Sequence, residues 1–228
     1  HAAAAAQDDS LFDYYSPPVK LALAALLFAC AANAEVTITV DRSTANPPFH
    51  FAHVASPAKD DAAAKANVEV IGGTIDRGSA GLAAVNDGKF PGNEDEPEAN
   101  LFFKADSWGG RFRMDLGAVI DVAAINTYSW HPDTRAPQVY RVYGSDGTDP
   151  NFDPMPGVKS AMTGWREIAF VDTRTKEGDH GGQYGVSITD TAGSLGRYRY
   201  LIFDVFETES DDPWGQTFYS EIDVVAKK

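Results

Sequence analysis

The stretch Arg111-Phe112-Arg113-Met114-Asp115-Leu116 places an apolar residue at every second position. Successive side chains of a β-strand point to opposite faces of the sheet, so this alternation is typical of a strand with one buried and one solvated face. The stretch Tyr200-Leu201-Ile202-Phe203 is apolar at consecutive positions, which indicates a central strand covered on both sides. These two patterns together predict a layered β-structure.

Strand patterns continue on both sides of these stretches and are separated by Gly, Asp and Pro turn signals. The predicted strands span 35–41, 111–116, 122–130, 138–144, 165–171, 183–188, 198–206 and 217–225. Only residues 59–66 have a composition that suits a helix, and this segment is short. Many short strands with little helix predict an all-β antiparallel sandwich or barrel, formed by one domain from residue 35 onward.

The chain of 228 residues is strongly acidic, with a net charge of -14 and a pI near 4.6. Nucleic acids and anionic lipid surfaces attract basic faces, so this charge argues against partners that bind through phosphate groups. Acidity by itself keeps a protein soluble. It also supplies carboxylates of the kind that bind calcium.

The N-terminal region has the features of a secretory signal over residues 19–34. Lys20 precedes an apolar run over 21–32, and Ala32-Asn33-Ala34 has the small-x-small form of a cleavage site. The run is too short for a transmembrane segment, which needs about 20 apolar residues. The alternative interpretation is a buried Ala/Leu helix. Residues 1–18 are interpreted as a non-native or upstream segment that is not part of the fold.

The single cysteine offers a second form of export. Leu27-Phe28-Ala29-Cys30 is similar to a lipoprotein box, which would attach a lipid to Cys30. Simple secretion to a periplasmic or extracellular space is preferred over lipid anchoring, and in both cases the mature domain has no disulfide.

Seven segments, in this order, carry a resemblance to a known family. They are Val85-Asn86-Asp87-Gly88, 111–117, 125–130, Tyr140-Arg141-Val142-Tyr143-Gly144-Ser145-Asp146-Gly147, 165–168, 197–201 and Ser220-Glu221-Ile222-Asp223-Val224. The chain thereby resembles the discoidin, or coagulation factor type C, family, which includes the family 32 carbohydrate-binding modules. The resemblance implies an eight-stranded jelly-roll sandwich of the galactose-binding-like fold, with binding loops at one end.

The resemblance also implies a structural calcium beside those loops. Asp87 and Glu221 would provide side-chain oxygens, and backbone carbonyls near Lys89 and Asn93 would complete the shell. The chain departs from the family in its long acidic stretch over 91–98. In the alternative interpretation Asp87-Gly88 is only a turn and Glu221 is a solvated strand residue.

Two loops are candidates for a ligand surface, and the fold that the resemblance implies would place them at the same end. Ser129-Trp130-His131-Pro132-Asp133-Thr134-Arg135 follows one strand, and Asp211-Asp212-Pro213-Trp214-Gly215-Gln216 precedes the last. Sugar sites combine aromatic faces with polar donors, so we predict ligand contacts from Trp130, His131, Arg135 and Trp214. In the alternative interpretation Trp130 belongs to the core and Arg135 pairs with a carboxylate. Trp108 and Trp165 are expected to pack in the core or at an edge.

Other motifs do not indicate an enzyme. His180-Gly181-Gly182 lacks an accompanying nucleophile elbow, and His50 with His53 lacks a third metal ligand. The predicted function is therefore a secreted, non-catalytic module that binds a glycan or polysaccharide and carries a structural calcium. The alternative is an extracellular protein-binding or adhesion domain of the same fold. In either case 35–79 and 80–228 are expected to form one domain.

Overall fold

The computed structural model describes residues 34–44, 47–175, 181–209 and 216–228. The predicted upstream segment 1–18 and nearly all of the predicted signal segment, with Cys30, lie outside the described residues. His180 and Trp214 lie outside them as well.

The described chain is almost entirely β-structure, arranged in antiparallel pairs, which confirms the predicted fold class. The eight strands, numbered in chain order, are β1 (Val36–Ser43), β2 (Asn67–Gly72), β3 (Gly109–His131), β4 (Val139–Ser145), β5 (Arg166–Asp172), β6 (Gly182–Asp190), β7 (Gly196–Phe206) and β8 (Tyr219–Ala226). Three short 3₁₀ turns, Ala63–Lys65, Leu82–Val85 and Pro97–Ala99, are the helical elements of these residues. The predicted helix over 59–66 is reduced to the first of these turns.

Strand β3 is 23 residues long and contributes to both layers of the sandwich. Its first half pairs with β2 and β7, and its second half pairs with β6 and β8. The register shifts between Asp115 and Ile120, where Gly117 adopts a positive φ of 81°. The Asp115 Oδ1 atom accepts the Gly117 amide hydrogen bond at 2.8 Å and so braces the bend. Two predicted strands are thus one bent strand.

The bend of β3 produces two layers that share this strand. One layer has the order β2-β3-β7-β4-β5, and the other contains β1, β6, β3 and β8. The main core lies between the layers, because fully buried residues from both contact one another in a single cluster, among them Phe112, Phe203, Ile125 and Ile222. The Leu201-Ile202-Phe203 segment of β7 is completely buried, as its apolar run predicts.

Strand β2 was not predicted, although Val68 and Val70 alternate with polar residues in the expected way. Its short length and its position next to an Ala-rich segment obscure the pattern. In the structure β2 lies beside the first half of β3, and Glu69 pairs with Arg113 at 2.7 Å.

The connection between β4 and β5 folds back over the outer face of the first layer. Arg111 on that face pairs in a bidentate manner with Asp204, at 3.1 and 2.7 Å, and donates to the carbonyl oxygens of Pro156 and Gly157. Arg113 likewise donates to the carbonyl oxygen of Pro154. Both members of the Arg111–Asp204 pair are buried, because this connection shields them from solvent.

The outer face of the second layer is covered in a similar way. Phe49, Val54, Tyr128 and Trp130 form a second buried cluster, against which Phe51 and Phe90 pack. The segment 47–58 therefore acts as a lid over β3 and β8. None of the helical turns among the described residues has the length and apolar character needed to cross a membrane.

The Arg111–Asp204 pair provides a test of this description. We predict that Arg111→Ala lowers the free energy of unfolding by about 3 to 5 kcal/mol, because it leaves a buried carboxylate without a partner. Arg199→Ala should cost far less, since the Arg199 side chain is 40% exposed although it also pairs bidentately, with Asp115. Denaturant unfolding followed by tryptophan fluorescence measures both.

The double variant Arg111→Met with Asp204→Leu serves as the control. It should recover most of the lost stability, since an apolar pair of similar size carries no desolvation cost. Equal losses in Arg111→Ala and Arg199→Ala would contradict the assignment of Arg111 as the buried anchor.

Candidate functional site

One end of the sandwich gathers the connections that follow β3, β5 and β7, and we call it the loop end. The described residues at the base of the two predicted ligand loops meet there. The Thr208 hydroxyl donates to the carbonyl oxygen of Thr134 at 2.7 Å, and the Phe218 amide donates to that of Arg135 at 3.3 Å. The bases of the two loops therefore lie side by side, as the resemblance implies.

The predicted ligand residues Trp130, His131 and Arg135 differ in their exposure and in the side chains that they contact. Trp130 is only 8% exposed and its ring lies 6.0 Å from that of Phe49, so its indole faces aromatic side chains. His131 is also buried, with its ring 4.8 Å from that of Phe218. The Arg135 guanidinium lies 5.2 Å above the same Phe218 ring and is partly exposed. His131 and Arg135 are thus brought together on Phe218, while Trp130 belongs to the second aromatic cluster.

A groove of about 430 Å³ lies next to these loops on the outer face of the first layer. Its lining residues are Trp108, Val139, Arg141, Phe170, Arg174, Phe206 and Glu207. The Trp108 and Phe170 side chains are 40% and 42% exposed, which is unusual for aromatic residues of this size. The volume lies within the range of small-molecule sites.

Strand alternation explains why this face carries aromatic residues. Ala169 and Val171 point into the core, so Phe170 between them must point outward. In the pairing of β4 with β5, Arg141 lies opposite Phe170, and its guanidinium stacks 4.6 Å above the Phe170 ring. The Phe206 ring lies 6.5 Å from that of Phe170 at 72°. The floor of the groove is therefore a set of neighbouring side chains on one sheet face.

The polar residues of the groove are held in place by neighbours. Arg141 donates to Glu167 at 2.8 Å. Arg174 forms a bidentate pair with Asp172, at 2.9 and 2.6 Å, and contacts the carbonyl oxygen of Thr208 at 3.4 Å. Since Thr208 also contacts Thr134, Arg174 connects the groove to the base of the loops that carry Arg135.

Sequence analysis did not identify this groove. Trp108 was expected in the core or at an edge, whereas its ring is exposed at the start of β3. Trp165 does pack as expected, against Phe152 and Tyr200, and its indole N–H donates to the carbonyl oxygen of Asp153. The outward position of Phe170 was predictable from the alternation of β5. Its proximity to Trp108 and Phe206 depends on the order of the strands.

The predicted calcium residues lie around the start of β8. Glu221 is 1% exposed, and its Oε2 atom accepts the Gly88 amide hydrogen bond at 3.0 Å. The alternative interpretation of Glu221 as a solvated residue is therefore wrong. Asp87 is exposed and directs its two carboxyl oxygens to the amide and ammonium groups of Lys89, at 2.9 and 3.3 Å.

The acidic stretch 91–98 forms its own network. Glu96 accepts hydrogen bonds from the Gly92 amide and the Asn93 side chain, and the Asp95 amide donates to Asn93 Oδ1. The hydrogen bonds of the Asn93 side chain to Glu96 and Asp95 therefore stay within the loop. Within the described ranges, no three His, Cys, Asp or Glu side chains lie close enough together to hold a metal ion. A cation at Glu221 would therefore need backbone carbonyl oxygens, as the resemblance implies.

Two further carboxylates accompany Glu221 beneath the 47–66 segment. Asp223 is 1% exposed, with Oδ2 accepting from the Ala58 amide at 3.0 Å and from the Tyr128 hydroxyl at 3.2 Å, while Oδ1 is buried without a partner. Asp61 accepts from the Ala63 and Val224 amides at 2.7 and 2.8 Å. In the part of the chain that the structure describes, no Lys, Arg or His nitrogen lies within 4.0 Å of these three groups.

The pKa values of Glu221 and Asp223 are raised by burial and by the absence of a nearby cation among the described residues. Burial, followed by the charge of Asp223, raises the pKa of Glu221 to about 9. Burial also raises the pKa of Asp223 to about 7, with a further contribution from Asp61. Burial without a cationic partner therefore favours the protonated forms of Glu221 and Asp223.

Comparison with known proteins gives structural likenesses only. No family model and no curated protein matches the chain. The CpGH89CBM32-6 domain from Clostridium perfringens superposes with a TM-score of 0.44 and 18% identity, covering 74% of this chain and all of that domain. A fucose-binding module from Streptococcus pneumoniae has a TM-score of 0.45 and 13% identity, covering 74% and 99%.

A family 32 carbohydrate-binding module of NanJ from Clostridium perfringens, solved with galactose, has a TM-score of 0.44 and 9% identity, covering 70% of this chain and 92% of the module. The module solved with galactose carries the family name that the sequence resemblance includes. At such low similarity, the function of this chain has to be inferred from its own residues.

The buried carboxylates predict an unusual pH dependence in the presence of a chelator. The folded pKa of Asp223 lies above its usual value of 3.8, so its stabilising contribution is complete below about pH 4 and is lost as the pH rises through about 7. We expect Asp223→Asn to flatten the decline in stability between pH 4 and 7 by about 2 to 4 kcal/mol, since one pKa unit corresponds to about 1.4 kcal/mol. Urea unfolding at several pH values measures this difference.

Glu94→Gln, which removes an exposed carboxylate from the acidic loop, is the matched control and should leave the pH profile unchanged. Parallel profiles for the wild type and Asp223→Asn would show that Asp223 is ionised in the folded protein across this range.

Proposed function

We propose that this protein is a non-catalytic carbohydrate-binding module that holds a glycan or polysaccharide in the groove lined by Trp108, Phe170 and Phe206. The single observation that carries the proposal is the exposure of these aromatic side chains in one groove with Arg141, Arg174 and Glu207. The Trp108 and Phe170 side chains stay 40% and 42% exposed, and the cost of that exposure is offset when a ligand binds.

The chemistry of the groove suits a pyranose ring. One face of a pyranose presents C–H groups that pack against an aromatic ring, and its hydroxyl groups both donate and accept hydrogen bonds. Arginine offers donors in a fixed fork, and a glutamate offers acceptors. Because Arg141 and Arg174 are already fixed by Glu167 and Asp172, the groove orders few side chains on binding.

The predicted loop residues extend this surface. Arg174 contacts Thr208, Thr208 contacts Thr134, and Arg135 follows directly. A glycan longer than one residue would pass from the groove toward Arg135. His131 contributes by supporting Phe218 beneath Arg135.

The proposal includes a calcium ion at the base of the loops and a location outside the cytoplasm. Glu221 supports the calcium proposal, since it is buried, has no cationic neighbour among the described residues, and already contacts the 87–89 loop through Gly88. Asp87 would turn from Lys89 to join it. Export rests on the signal-like segment 19–34, with lipid attachment at Cys30 as the second option.

A glycan and polysaccharide array tests the binding proposal. We predict that Trp108→Ala and Phe170→Ala each weaken binding by about tenfold or more, because an aromatic contact in a hot spot contributes more than about 1 kcal/mol. Met155→Ala is the matched control, since Met155 is an exposed apolar residue outside the groove. Circular dichroism checks that each variant is folded.

The outcomes of the array separate the two predicted surfaces. Binding that survives Trp108→Ala and Phe170→Ala but is lost in Arg135→Gln or Trp214→Ala would assign the site to the loops alone. A blank array with folded protein would contradict carbohydrate binding and favour the protein-binding alternative.

Thermal unfolding tests the calcium proposal separately. Calcium at about 100 times its dissociation constant adds about 2.7 kcal/mol of stability, which raises Tm by roughly 5 to 10 °C for a chain of this size. We expect this rise to disappear in Glu221→Gln and to persist in Glu94→Gln. An identical Tm in calcium and in chelator would remove the metal from the proposal.

A further inference from the structure

A second polar cavity, of about 420 Å³, lies at the end of the sandwich opposite the loop end. It is formed where β4 ends and where β5 and β7 begin. Its lining residues are Gly144, Ser145, Asp146, Thr148, Asp149, Gly164, Trp165, Arg166, Arg197 and Tyr198. None of these residues takes part in the groove or in the calcium proposal.

The two arginines of this cavity differ in their contacts from five other arginines of the chain. Arg111, Arg113, Arg141, Arg174 and Arg199 each pair with a carboxylate. Arg166 and Arg197 have no carboxylate oxygen within 4.0 Å and donate no hydrogen bond to a residue that the structure describes. In a chain with 33 acidic residues, two exposed arginines, one on β5 and one on β7, thus line one cavity without a carboxylate partner.

The acidic residues of the cavity are used in local turns. Asp146 Oδ1 accepts from both the amide and the hydroxyl group of Thr148, at 2.9 and 2.8 Å. Asp149 Oδ1 accepts from the Asn151 amide at 2.8 Å. These contacts hold the connection after β4 in shape, and they leave the guanidinium groups of Arg166 and Arg197 free to bind a ligand.

The rest of the cavity is rigid. The Tyr198 ring lies flat on Gly144, so close that a Cβ at Gly144 would be 2.5 Å from a ring carbon. The Tyr198 hydroxyl donates to the carbonyl oxygen of Leu195 at 2.8 Å, and the Trp165 indole donates to Asp153. Arg166 lies directly opposite Gly144 in the pairing of β4 with β5. Both arginines therefore extend from fixed strand ends beside an aromatic floor.

We propose that this cavity binds an oxyanion, a sulfate or carboxylate group, through Arg166 and Arg197. The guanidinium group presents paired N–H donors whose geometry matches two oxygens of such a group. The partly exposed Trp165 ring offers a wall for the body of the molecule that carries the anion. Free inorganic anions and the acidic substituents of sugars share this chemistry.

Isothermal titration with sodium sulfate and with sodium galacturonate, at ionic strength matched with chloride, tests the proposal. We expect saturable binding of at least one of the two, and an increase in Kd of about tenfold or more in Arg166→Gln and in Arg197→Gln. Stronger binding of galacturonate than of sulfate would identify an acidic sugar as the source of the anion, and the reverse order would identify a tetrahedral ion. Either order supports the site.

Lys159→Gln is the matched control, because it removes an exposed positive charge from the same connection outside the cavity. Equal weakening in Lys159→Gln and Arg166→Gln would reduce the effect to surface charge and overturn the proposal, as would the absence of saturable binding of either anion. Failure of this anion site can be told apart from failure of the proposed glycan site, because the Trp108 groove lies at the other end of the sandwich. Glycan binding to the groove is measured with the same arginine variants.

Discussion

The bend in strand β3 is the constraint on which the rest of the structure depends. One strand of 23 residues cannot remain straight in a domain of this size, so it turns near Gly117 and pairs in turn with both layers. The positive φ of Gly117 meets the conformational need of the bend without the steric cost that a Cβ would add. Because both halves of β3 end at the loop end, this bend brings Trp108 at its start and His131 at its finish to the same end of the molecule.

The outer face of each layer is covered by a different segment of the chain. The position of that segment determines which side chains on the face are buried. On the first layer the connection between β4 and β5 covers Arg111 and Asp204 but leaves Phe170 and Trp108 open. On the second layer the segment 47–58 covers Tyr128, Trp130 and Asp223 completely. The exposed aromatic groove is thus the part of the outer surface that neither segment covers.

Two carboxylates near the start of β8, Glu221 and Asp223, are buried without a cationic partner among the described residues, and this burial costs free energy of desolvation. Glu221 and Asp223 lie on the covered outer face, where alternation with the core residues Ile222 and Val224 places them. Their raised pKa values express the same desolvation that a bound cation would relieve. Glu221 and Asp223 on β8, together with Asp61, accept hydrogen bonds from the amides of Ala58, Ala63, Gly88 and Val224. The charge of these three carboxyl groups is therefore linked to the positions of the 58–63 segment and the 87–89 loop.

The sequence by itself determined the fold class and most strand positions, because alternation and turn residues are local properties, while the proximity of the Asp87 turn to the Glu221 strand was expected only from the family resemblance. The resemblance also implied that the loops over 129–135 and 210–216 share one end of the sandwich. Only the tertiary structure decided which outward residues are covered. Trp130 is buried by Phe49 from a distant segment, whereas Trp108 and Phe170 stay exposed among the residues that the structure describes. Whether a side chain on an outer face meets solvent depends on contacts between segments far apart in the chain, and no local pattern records those contacts.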